Sequence, residues 1–433
     1  MLEQPEAPDR TGVELFAGGG GLAMAVRRAG FRPLLFNEFA KRACETLALN
    51  GEKPIPVDID EEEAKGESDY LWLPGPNERP PLAVGDIQKV DFSYLDGKVD
   101  VLAGGPPCQP FSLGGVAKGD EDKRNMFPQM FRAIREMKPK AVICENVRGL
   151  LRPSFKPYFD YILRELELPF EERRDDVLWQ DHDAVLRHEL AAGKTSPSQR
   201  YRVVVTQVNA ADYGVPQIRH RIIIVAFRAD LDVDLDAFKE RVRPTHSELA
   251  LHQSMRDGTY WERHNVPDDI RGRVMARVPN SIPLTDGLQP WRTLRDAIQG
   301  VDENEGKPLP PIPIEYLDRE ERNLGNVTDH IGWPGARIYP GHTPNELDRP
   351  AKTVKAGVHG VPGGESVMLL DDGSHRYMSV RETARVMTFP DDWKLEGPRG
   401  EQMRQLGNAV PVRLGEVFAK AVAETLREAG ERE

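Results

Sequence analysis

The sequence predicts an α/β protein with a doubly wound, Rossmann-like sheet and a second, smaller and irregular domain. Short apolar runs alternate with stretches of helical periodicity over the first half of the chain, which is typical of a parallel sheet with helices on both faces. Glycine or polar residues directly follow several of these runs. A chain of 433 residues is longer than one compact domain usually is, so we expect two domains.

The hydrophobic periodicity predicts seven strands and five helices. The predicted strands are 12–16, 32–39, 82–87, 99–105, 140–147, 201–210 and 221–227. The predicted helices are 22–29, 40–50, 125–137, 150–167 and a last amphipathic one that follows 407–412 and ends at about 428. Segments 51–81 and 168–200 are charged and irregular, so we expect surface insertions there. The period is lost from 230 to about 345, too long for a loop, which predicts the second domain.

Five residues fall at or just after the ends of predicted strands: Gly18, Glu38, Asp86, Cys108 and Glu145. The carboxyl ends of parallel strands meet at one edge of a sheet, and ligands of such folds bind beyond that edge. The sequence therefore predicts a functional site there.

The segment FAGGGG (16–21) lies between a predicted strand and a predicted helix. Glycines permit a tight turn and a close approach of ligand, and the helix N-terminus offers free amide donors. Glu38, at the end of the next strand, stands where a ribose-binding carboxylate is expected. The pattern alone does not separate nicotinamide, flavin and adenosylmethionine enzymes, and a tight turn without a ligand has the same appearance.

Three cysteines, Cys44, Cys108 and Cys144, do not make a disulfide framework, and no CxxC pair indicates a metal site. Cys44 lies in a helical segment and Cys144 in an apolar strand, so both are predicted to be core residues. Cys108 lies in GGPPCQPFS (104–112), whose glycines and prolines indicate a rigid loop. A thiolate presented by such a loop is a candidate nucleophile.

Glu145 ends an apolar strand in CENV. A carboxylate in that position is commonly a surface residue or a salt-bridge partner. It can instead be a partly buried acid that donates a proton at neutral pH. The second interpretation gains weight opposite a nucleophilic cysteine on a neighbouring strand.

The net charge of −12 argues, taken alone, against a nucleic-acid-binding protein. Residues 241–300, however, contain nine Arg, no Lys and seven Asp or Glu, close to +2. Arginine without lysine favours bidentate recognition of bases and phosphates, although ordinary charge scatter explains the count equally well.

No apolar run reaches the ~18–20 residues of a membrane span, and the acidic, Pro-rich start lacks the features of a signal peptide, so we expect a cytoplasmic protein.

The ordered segments FAGGGG, NEF, GDI, GGPPCQPFS, ENV, QIRHR, RPAKTVKAG and GNAVPV resemble the motifs of the DNA cytosine-5 methyltransferases, of the bacterial restriction–modification type. Each motif is short, but eight in this order over residues 13–412 are highly specific. The resemblance covers nearly the whole chain apart from the two insertions and the 230–345 region. It implies an S-adenosylmethionine-dependent methyltransferase domain.

Matching the motifs position by position implies three sets of site residues. The cofactor set is Phe16, Ala17, Gly18, Gly20, Gly21, Glu38, Phe39, Asp86, Ile87, Pro107, Asn408 and Val410. The catalytic set is Cys108, Glu145, Arg219 and Arg221. The set expected to contact DNA is Gln109, Ser112, Asn146 and Gln217. No metal is implied.

Within the cofactor set, Glu38 would hold the ribose hydroxyls, Phe39, Asp86 and Ile87 would lie beside the adenine, and Asn408 and Val410 would close the site. Within the catalytic set, Cys108 would be the nucleophile and Glu145 the acid. The two arginines, Arg219 and Arg221, would surround the flipped base and a nearby phosphate. Two positions depart from the family pattern: Glu14 replaces the more frequent Asp, and Phe39 replaces the Trp of many relatives.

The resemblance also implies the organisation and the partners of the chain. Residues 1–235, completed by 405–433, would form the catalytic domain, and 236–404 a small domain that contains the target-recognition region, about 236–345. The expected cofactor is S-adenosyl-L-methionine and the expected partner is double-stranded DNA, with a restriction endonuclease of the same site as a further candidate. A monomer is expected.

Three other interpretations remain. An RNA (tRNA) cytosine-5 methyltransferase of the same fold would share Cys108 and Glu145, but the long 230–345 region argues against it. A nicotinamide oxidoreductase would require a GxGxxG pattern and would leave PPCQPFS unexplained. A non-catalytic DNA-binding protein on the same scaffold would not need an intact catalytic set.

Overall fold

The computed structural model describes most of the chain. The described residues are 10–66, 70–107, 125–264, 266–283, 286–300, 307–313, 316–317, 324, 327–338, 340, 343–356 and 366–431. The chain forms two compact units. The first unit is Met1–Val208, His220–Val242 and Glu416–Glu433, and the second unit is Asn209–Arg219 and Arg243–Gly415.

An eight-stranded sheet forms the centre of the first unit, in the order β3-β4-β2-β1-β5-β6-β8-β7. Its strands are β1 (Arg10–Leu15), β2 (Phe31–Glu38), β3 (Ile55–Asp58), β4 (Pro81–Val84), β5 (Val101–Gly104), β6 (Ala141–Val147), β7 (Tyr201–Asn209) and β8 (His220–Arg228). The strands from β3 to β6 pair in parallel, whereas β8 is antiparallel to β6. The predicted α/β sheet is therefore confirmed, and the antiparallel pairing of β8 with β6 is a feature that the apolar pattern did not reveal.

Eight helices of the described chain accompany the sheet. They are α1 (Gly21–Arg28), α2 (Lys41–Leu49), α3 (Ile59–Lys65), α4 (Phe127–Met137), α5 (Lys156–Glu167), α6 (Trp179–Ala192), α7 (Leu235–Arg241) and α14 (Val412–Gly430). The main core lies where α4 and α5 cover the central strands, with Phe127, Met130 and Ile162 fully buried against Leu102 and Ile224. Each such side chain contributes about 1.5–3 kcal/mol when it leaves water.

The two predicted insertions are more regular than the sequence indicated. Segment 51–81 contributes β3, an additional edge strand beside β4, and α3, which begins at an Asp58 cap. Segment 168–200 contains the 14-residue helix α6. The Trp179 ring lies edge-on to Tyr158 of α5, with their centroids 5.3 Å apart, so α6 packs on α5. The expectation of irregular structure there was wrong, because α6 is only weakly amphipathic and is stabilised by tertiary contacts.

The second unit contains short elements. Its helices are α8 (Glu248–Asp257), α9 (Thr259–Arg263), α10 (Asp268–Met275), α11 (Leu294–Gln299), α12 (Val380–Val386) and α13 (Arg399–Asn408). Its strands are β9 (His246–Ser247), β10 (Gln289–Pro290), β11 (Asn345–Glu346), β12 (Val367–Leu369) and β13 (His375–Tyr377). Residues 209–219 and 405–415, which the sequence assigned to the catalytic domain, form part of this unit.

The second unit contains buried ion pairs beside its apolar contacts. Leu251, Met255 and Trp261 form a small apolar cluster. Beside it, the buried Arg295 donates two hydrogen bonds, of 2.7 and 2.8 Å, to the carboxylate of Asp348. Arg295 belongs to the arginine-rich segment 241–300, so at least one of the arginines behind the basic bias of that segment is buried. Among the helices of the described residues, none is long and apolar enough to cross a membrane.

Candidate active site

The glycine turn after β1 adopts backbone conformations that few residues other than glycine accept. Gly18 has φ +54° and Gly20 has φ +90°, and Phe16, which has a side chain, has φ +57°. A Cβ atom built on Gly18 would meet no atom within 4 Å, so the space above this turn is open. The turn leads directly into α1, whose first amides lie at this edge of the sheet.

Glu38 holds this turn against the end of β2. Its Oε2 accepts a hydrogen bond from the Gly18 amide at 2.7 Å, and its Oε1 accepts one from the Ala40 amide at 2.7 Å. Burial raises the pKa of Glu38, and the backbone hydrogen bonds from Ala40, Gly18 and Phe39 oppose that rise. The carboxylate is thus ordered at the position where the sequence predicts a ribose-binding acid.

The loop after β4 is tied to the same edge. Asn37 donates to the carbonyl oxygens of Ala83 at 3.0 Å and Gly85 at 3.3 Å, and the Gly85 amide donates to the Glu38 carbonyl at 3.1 Å. Asp86 follows and accepts a hydrogen bond from the Gln88 amide at 3.0 Å. The structure therefore brings GDI next to Glu38.

The two apolar residues of the predicted adenine site differ in exposure. Ile87 is 3% exposed, whereas the Phe39 side chain is 76% exposed, the largest value among the large hydrophobic side chains of the described residues. An exposed aromatic ring beside an ordered carboxylate is available to stack on a planar ligand.

Glu14, which the sequence marked only as a departure from the family pattern, is a buried carboxyl at the end of β1. It is 4% exposed, and its Oε2 has no hydrogen-bond partner among the described residues. Burial raises the pKa of Glu14 well above its ordinary range, and the charge of Glu38 adds to the rise, whereas a hydrogen bond from the Ala23 amide opposes it. Through its hydrogen bond with the Ala23 amide, Glu14 links β1 to the first turn of α1.

The residues that lead to the predicted nucleophile are described as far as Pro107. Asn146 donates to the carbonyl of Pro106 at 3.0 Å, and the Met126 amide donates to the carbonyl of Pro107 at 3.3 Å. Both contacts fix Pro107, a predicted cofactor residue, between β5 and α4. The predicted Cys108, Gln109 and Ser112 lie outside the described residues. Asn146 is 4% exposed and occupied with Pro106, so its predicted DNA contact would require it to exchange that partner.

Glu145 and Arg221 are brought together by the antiparallel pairing of β6 and β8. The Nε of Arg221 lies 2.7 Å from Oε1 of Glu145, and both side chains are mostly buried. A Cβ atom on Gly105 would lie 3.6 Å from the other oxygen, Oε2, so Glu145 borders the residues that lead to Cys108. The structure thus places these two predicted catalytic residues in one ion pair.

Gln217 and Arg219, in the second unit, do not have the environment that the sequence predicted. Gln217 is fully buried, and its Oε1 accepts a hydrogen bond from the Val354 amide at 3.0 Å. Arg219 is 1% exposed and donates to main-chain carbonyls. Direct contact of either side chain with DNA or with a base stays a prediction, and it would require that side chain to exchange its present partners. The alternation of side chains along QIRHR predicts that they face two sides, but only tertiary contacts show which of these side chains are buried.

The remaining predicted residues divide by exposure. Asn408 is exposed at the end of α13, and Val410 is 6% exposed. Cys44 and Cys144 are buried, as predicted, and burial raises the pKa of each thiol to about 12. Among the described residues, no group of three or more His, Cys, Asp or Glu side chains has the arrangement of a metal site.

Comparison with known proteins decides the family. A family model described as C-5 cytosine-specific DNA methylase matches residues 11–72, 76–168 and 194–424. The chain belongs to this family. It is a DNA cytosine-5 methyltransferase, and its glycine turn, Glu145 and GNAVPV segment all lie inside the matched ranges.

Curated relatives match this methyltransferase over most of its length. The Type II methyltransferase M.PspPI of Psychrobacter sp. (strain TA137) is 30% identical, over 96% of this chain and 80% of the relative. The Type II methyltransferase M.Eco47II of Escherichia coli is 29% identical, over 98% of this chain and 81% of the relative.

Solved structures share the fold of this methyltransferase. A putative DNA modification methyltransferase encoded within an E. coli prophage has a TM-score of 0.53 and 19% identity, over 97% of this chain and all of the other. The S. pombe Dnmt2 methyltransferase has a TM-score of 0.51 and 14% identity, over 96% and 98% of the two chains.

Proposed function

We propose that this methyltransferase transfers a methyl group from S-adenosylmethionine to carbon 5 of a cytosine flipped out of a specific double-stranded DNA sequence, through a covalent intermediate with Cys108. The observation that carries this proposal is the Glu145–Arg221 ion pair beside Gly105, three residues before Cys108 in the sequence. Two mostly buried charged groups close to Cys108 in the sequence would supply the polar wall of a pocket that recognises a single base.

The described residues fit the expected cofactor. The open space at Gly18, the ordered Glu38 carboxylate and the exposed Phe39 ring would hold the amino-acid, ribose and adenine parts, respectively. Asp86 and Ile87, which follow β4, would add contacts to the adenine. When bound, the cofactor supplies an activated methyl group. The protein therefore has to position the cofactor and the cytosine and to polarise the cytosine ring, and it does not have to generate the reactivity of the methyl group.

The chemistry assigned to this chain's residues begins with Cys108. Its thiolate adds to carbon 6 of the cytosine, which breaks the 5,6 double bond and makes carbon 5 nucleophilic. Glu145 interacts at ring nitrogen 3, where the electron density moves. Carbon 5 would take the methyl group as the methyl–sulfur bond of the cofactor breaks, with S-adenosylhomocysteine as the leaving group. A base then removes the proton from carbon 5, and the electron pair that remains re-forms the double bond and expels the Cys108 thiolate.

The base has to leave the stack before any of these atoms is within reach, at a cost of a few kcal/mol. We assign recognition of the surrounding sequence to residues of about 236–345, where exposed arginines are available. The Type II names of the relatives support a protective role within a restriction–modification system. We further expect the protein to act as a monomer in the cytoplasm, where its DNA substrate lies.

Bisulfite sequencing of host DNA tests this function directly. The gene is expressed in a bacterium without endogenous DNA methylation, beside a matched Cys108→Ser variant. We expect one short sequence to be methylated at carbon 5 of one cytosine with the wild-type protein and at none with the variant. Methylation confined to RNA, measured in the same cells, would favour the tRNA-modifying alternative, and methylation at scattered sites would contradict a specific target.

A further inference from the structure

A histidine and an arginine meet over Gly214, and all three residues belong to the second unit. Gly214 has φ +78°, a conformation that favours glycine. A Cβ atom built on it would lie 2.9 Å from Nε2 of His246 and 3.0 Å from Nη1 of Arg413. The two nitrogens therefore lie close to one point, and the absence of a side chain on Gly214 leaves room for them.

A second arginine acts on the same histidine. Arg292 is 8% exposed. The pKa of His246 is lowered to about 4, first by burial and then by the charges of Arg413 and Arg292. Within the described part of the chain, no carboxylate is among the groups that shift this pKa. His246 is therefore neutral at pH 7, because a proton on its ring would add a third positive charge to the cluster.

The acidic residues that lie near this cluster in the sequence have partners of their own. Asp212, two residues before Gly214, accepts a hydrogen bond from Nε1 of Trp291 at 2.9 Å. Asp286 accepts a hydrogen bond from the side chain of Ser247, the residue after His246. The two carboxylates are thus engaged with neutral donors.

The backbone that carries Arg413 is held by a strained residue. Thr388 has φ +59°, in the left-handed region that a β-branched residue rarely adopts. Its Oγ1 accepts a hydrogen bond from the Arg413 amide at 2.9 Å, and its own amide donates to the Arg385 carbonyl at 2.9 Å. Such strain persists where surrounding contacts enforce it, and it is concentrated at functional sites. Arg413 is thus fixed at its main chain, and its Nη1 lies 3.4 Å from the Gly214 carbonyl.

We propose that Arg413, His246 and Thr245 bind one phosphate group of the DNA backbone, with the buried Arg292 adding positive charge. This inference rests on the proposed function, in which the second unit contacts double-stranded DNA. The Thr245 hydroxyl is exposed and lies 2.8 Å from Nδ1 of His246, and the Arg413 and His246 side chains are half-buried, so these groups are accessible from solvent. A guanidinium, an imidazole and a hydroxyl are groups that donate to phosphate oxygens.

A phosphate contact of this kind has two consequences. The negative charge of the phosphate offsets the charges of the two arginines, so His246 should gain a proton more readily when DNA is bound. The contact positions the duplex and carries no sequence information, so it should act equally on all DNA sequences.

The first measurement is made on the wild-type chain. Its ten histidines are labelled with ¹³C at Cε1, and the His246 signal is identified by its absence in His246→Gln. We expect the pKa of His246 to rise to about 5 or higher when a random-sequence duplex saturates the protein. An unchanged pKa would overturn the proposal. A rise with inorganic phosphate but not with the duplex would also overturn it, because the site would then belong to a small anion.

The second measurement compares Arg413→Gln with a matched control, Arg404→Gln. Arg404 is an exposed arginine of α13 that pairs with Glu401, so the control removes the same charge from the same unit. Binding of a random-sequence duplex is measured at several salt concentrations, and thermal unfolding is recorded for both variants. We expect Arg413→Gln to weaken binding about fivefold or more and to reduce the salt slope by about one, and Arg404→Gln to change affinity less than about twofold.

Equal behaviour of the two variants would overturn the proposal, and so would a changed sequence preference in Arg413→Gln, which would indicate a base contact. If Arg413→Gln does not fold, the titration of His246 in the wild-type chain still decides. Failure of the wild-type protein to bind any duplex would refute the proposed function itself. Duplex binding at an unchanged pKa of His246 would refute the phosphate site alone, so the two failures are distinguishable.

Discussion

The two carboxylate oxygens of Glu145 face different neighbours: Oε1 lies 2.7 Å from the Nε of Arg221, and Oε2 lies toward Gly105. The pair is produced by the antiparallel register of β6 and β8, in which Val147 is opposite Arg221 and Glu145 is opposite Ile223. A base that enters beside Gly105 would therefore meet Oε2, while the guanidinium keeps the carboxylate oriented.

Replacing Glu145 by Gln should lower the single-turnover rate of methyl transfer steeply, by at least tenfold, because a neutral amide can neither pair with Arg221 nor exchange a proton with ring nitrogen 3. Duplex binding should change far less. Glu165→Gln is a suitable control, since Glu165 is a buried carboxylate of α5 that contacts Tyr161 and His182. A fall of less than about threefold for Glu145→Gln would refute the acid role.

Replacing Cys108 by Ser should abolish methyl transfer and leave cofactor affinity within a few-fold, because the thiol acts on the base and not on the cofactor. A hundredfold loss of affinity, about 2.7 kcal/mol, in a folded variant would mean that Cys108 is misassigned. The buried Cys44 and Cys144, each with its pKa raised to about 12, should react slowly with a thiol reagent at pH 8. Mass spectrometry should therefore find one rapidly modified cysteine in the wild-type protein and none in the variant.

Replacing Glu14 by Gln should stabilise the protein at high pH. Since burial raises its pKa above the ordinary 4.5, the folded state binds more protons than the unfolded state above that pH, and wild-type stability falls as the pH rises. The variant lacks this penalty and should gain on the order of 1 kcal/mol at pH 8, seen as a small rise in the unfolding temperature. Thermal unfolding between pH 4.5 and 8 checks this. A gain that is the same at every pH would show that Glu14 does not titrate.

Replacing Arg273 by Gln should weaken DNA binding, because this exposed arginine of α10 forms no hydrogen bond or ion pair with the other described residues and is free to meet DNA. If Arg273 reads a base, the change should cost about 1–3 kcal/mol and relax the preference at one base pair. If it contacts a phosphate, all sequences should bind more weakly with a smaller salt dependence.

The matched change for Arg273 is Arg271→Gln. The Arg271 guanidinium lies 5.4 Å from the centre of the Trp261 ring, so its loss should lower thermal stability and leave sequence preference unchanged. Binding to random-sequence duplexes at two salt concentrations separates these outcomes. Wild-type binding and preference in Arg273→Gln would remove α10 from the recognition surface.

The strands and the glycine turn were predictable because each depends on local sequence. Leu15, Gly18 and Glu38 lie within a few residues of the pattern that identifies them, and the structure has β1, the turn and β2 in the predicted places. β3 was not predicted, since Ile55 and Val57 make a run of only four residues that contains a proline. Such a strand forms only because β4 provides the neighbouring edge.

The candidate site was predictable as a set of residues but not as a geometry. Glu145 and Arg221 are 76 positions apart, and only the antiparallel pairing of their strands makes them neighbours. Arg219 and Arg221 have the same chemistry in the sequence, yet Arg219 is hydrogen-bonded to backbone carbonyls and Arg221 forms an ion pair with a carboxylate. The difference arises from long-range packing, which a local pattern does not contain.

Helix α14 has a consequence for how the polypeptide is made. Its Glu416 pairs with Arg28 at 3.0 Å, and its Phe418 and Val422 are fully buried, although all eight strands of the large sheet are complete at Arg228. Roughly 190 residues are translated between Arg228 and Glu416, which takes on the order of 10–40 s. During that time the apolar surface that α14 will cover is open to solvent beside the ribosome, so the nascent chain offers chaperones a binding site that disappears when translation ends.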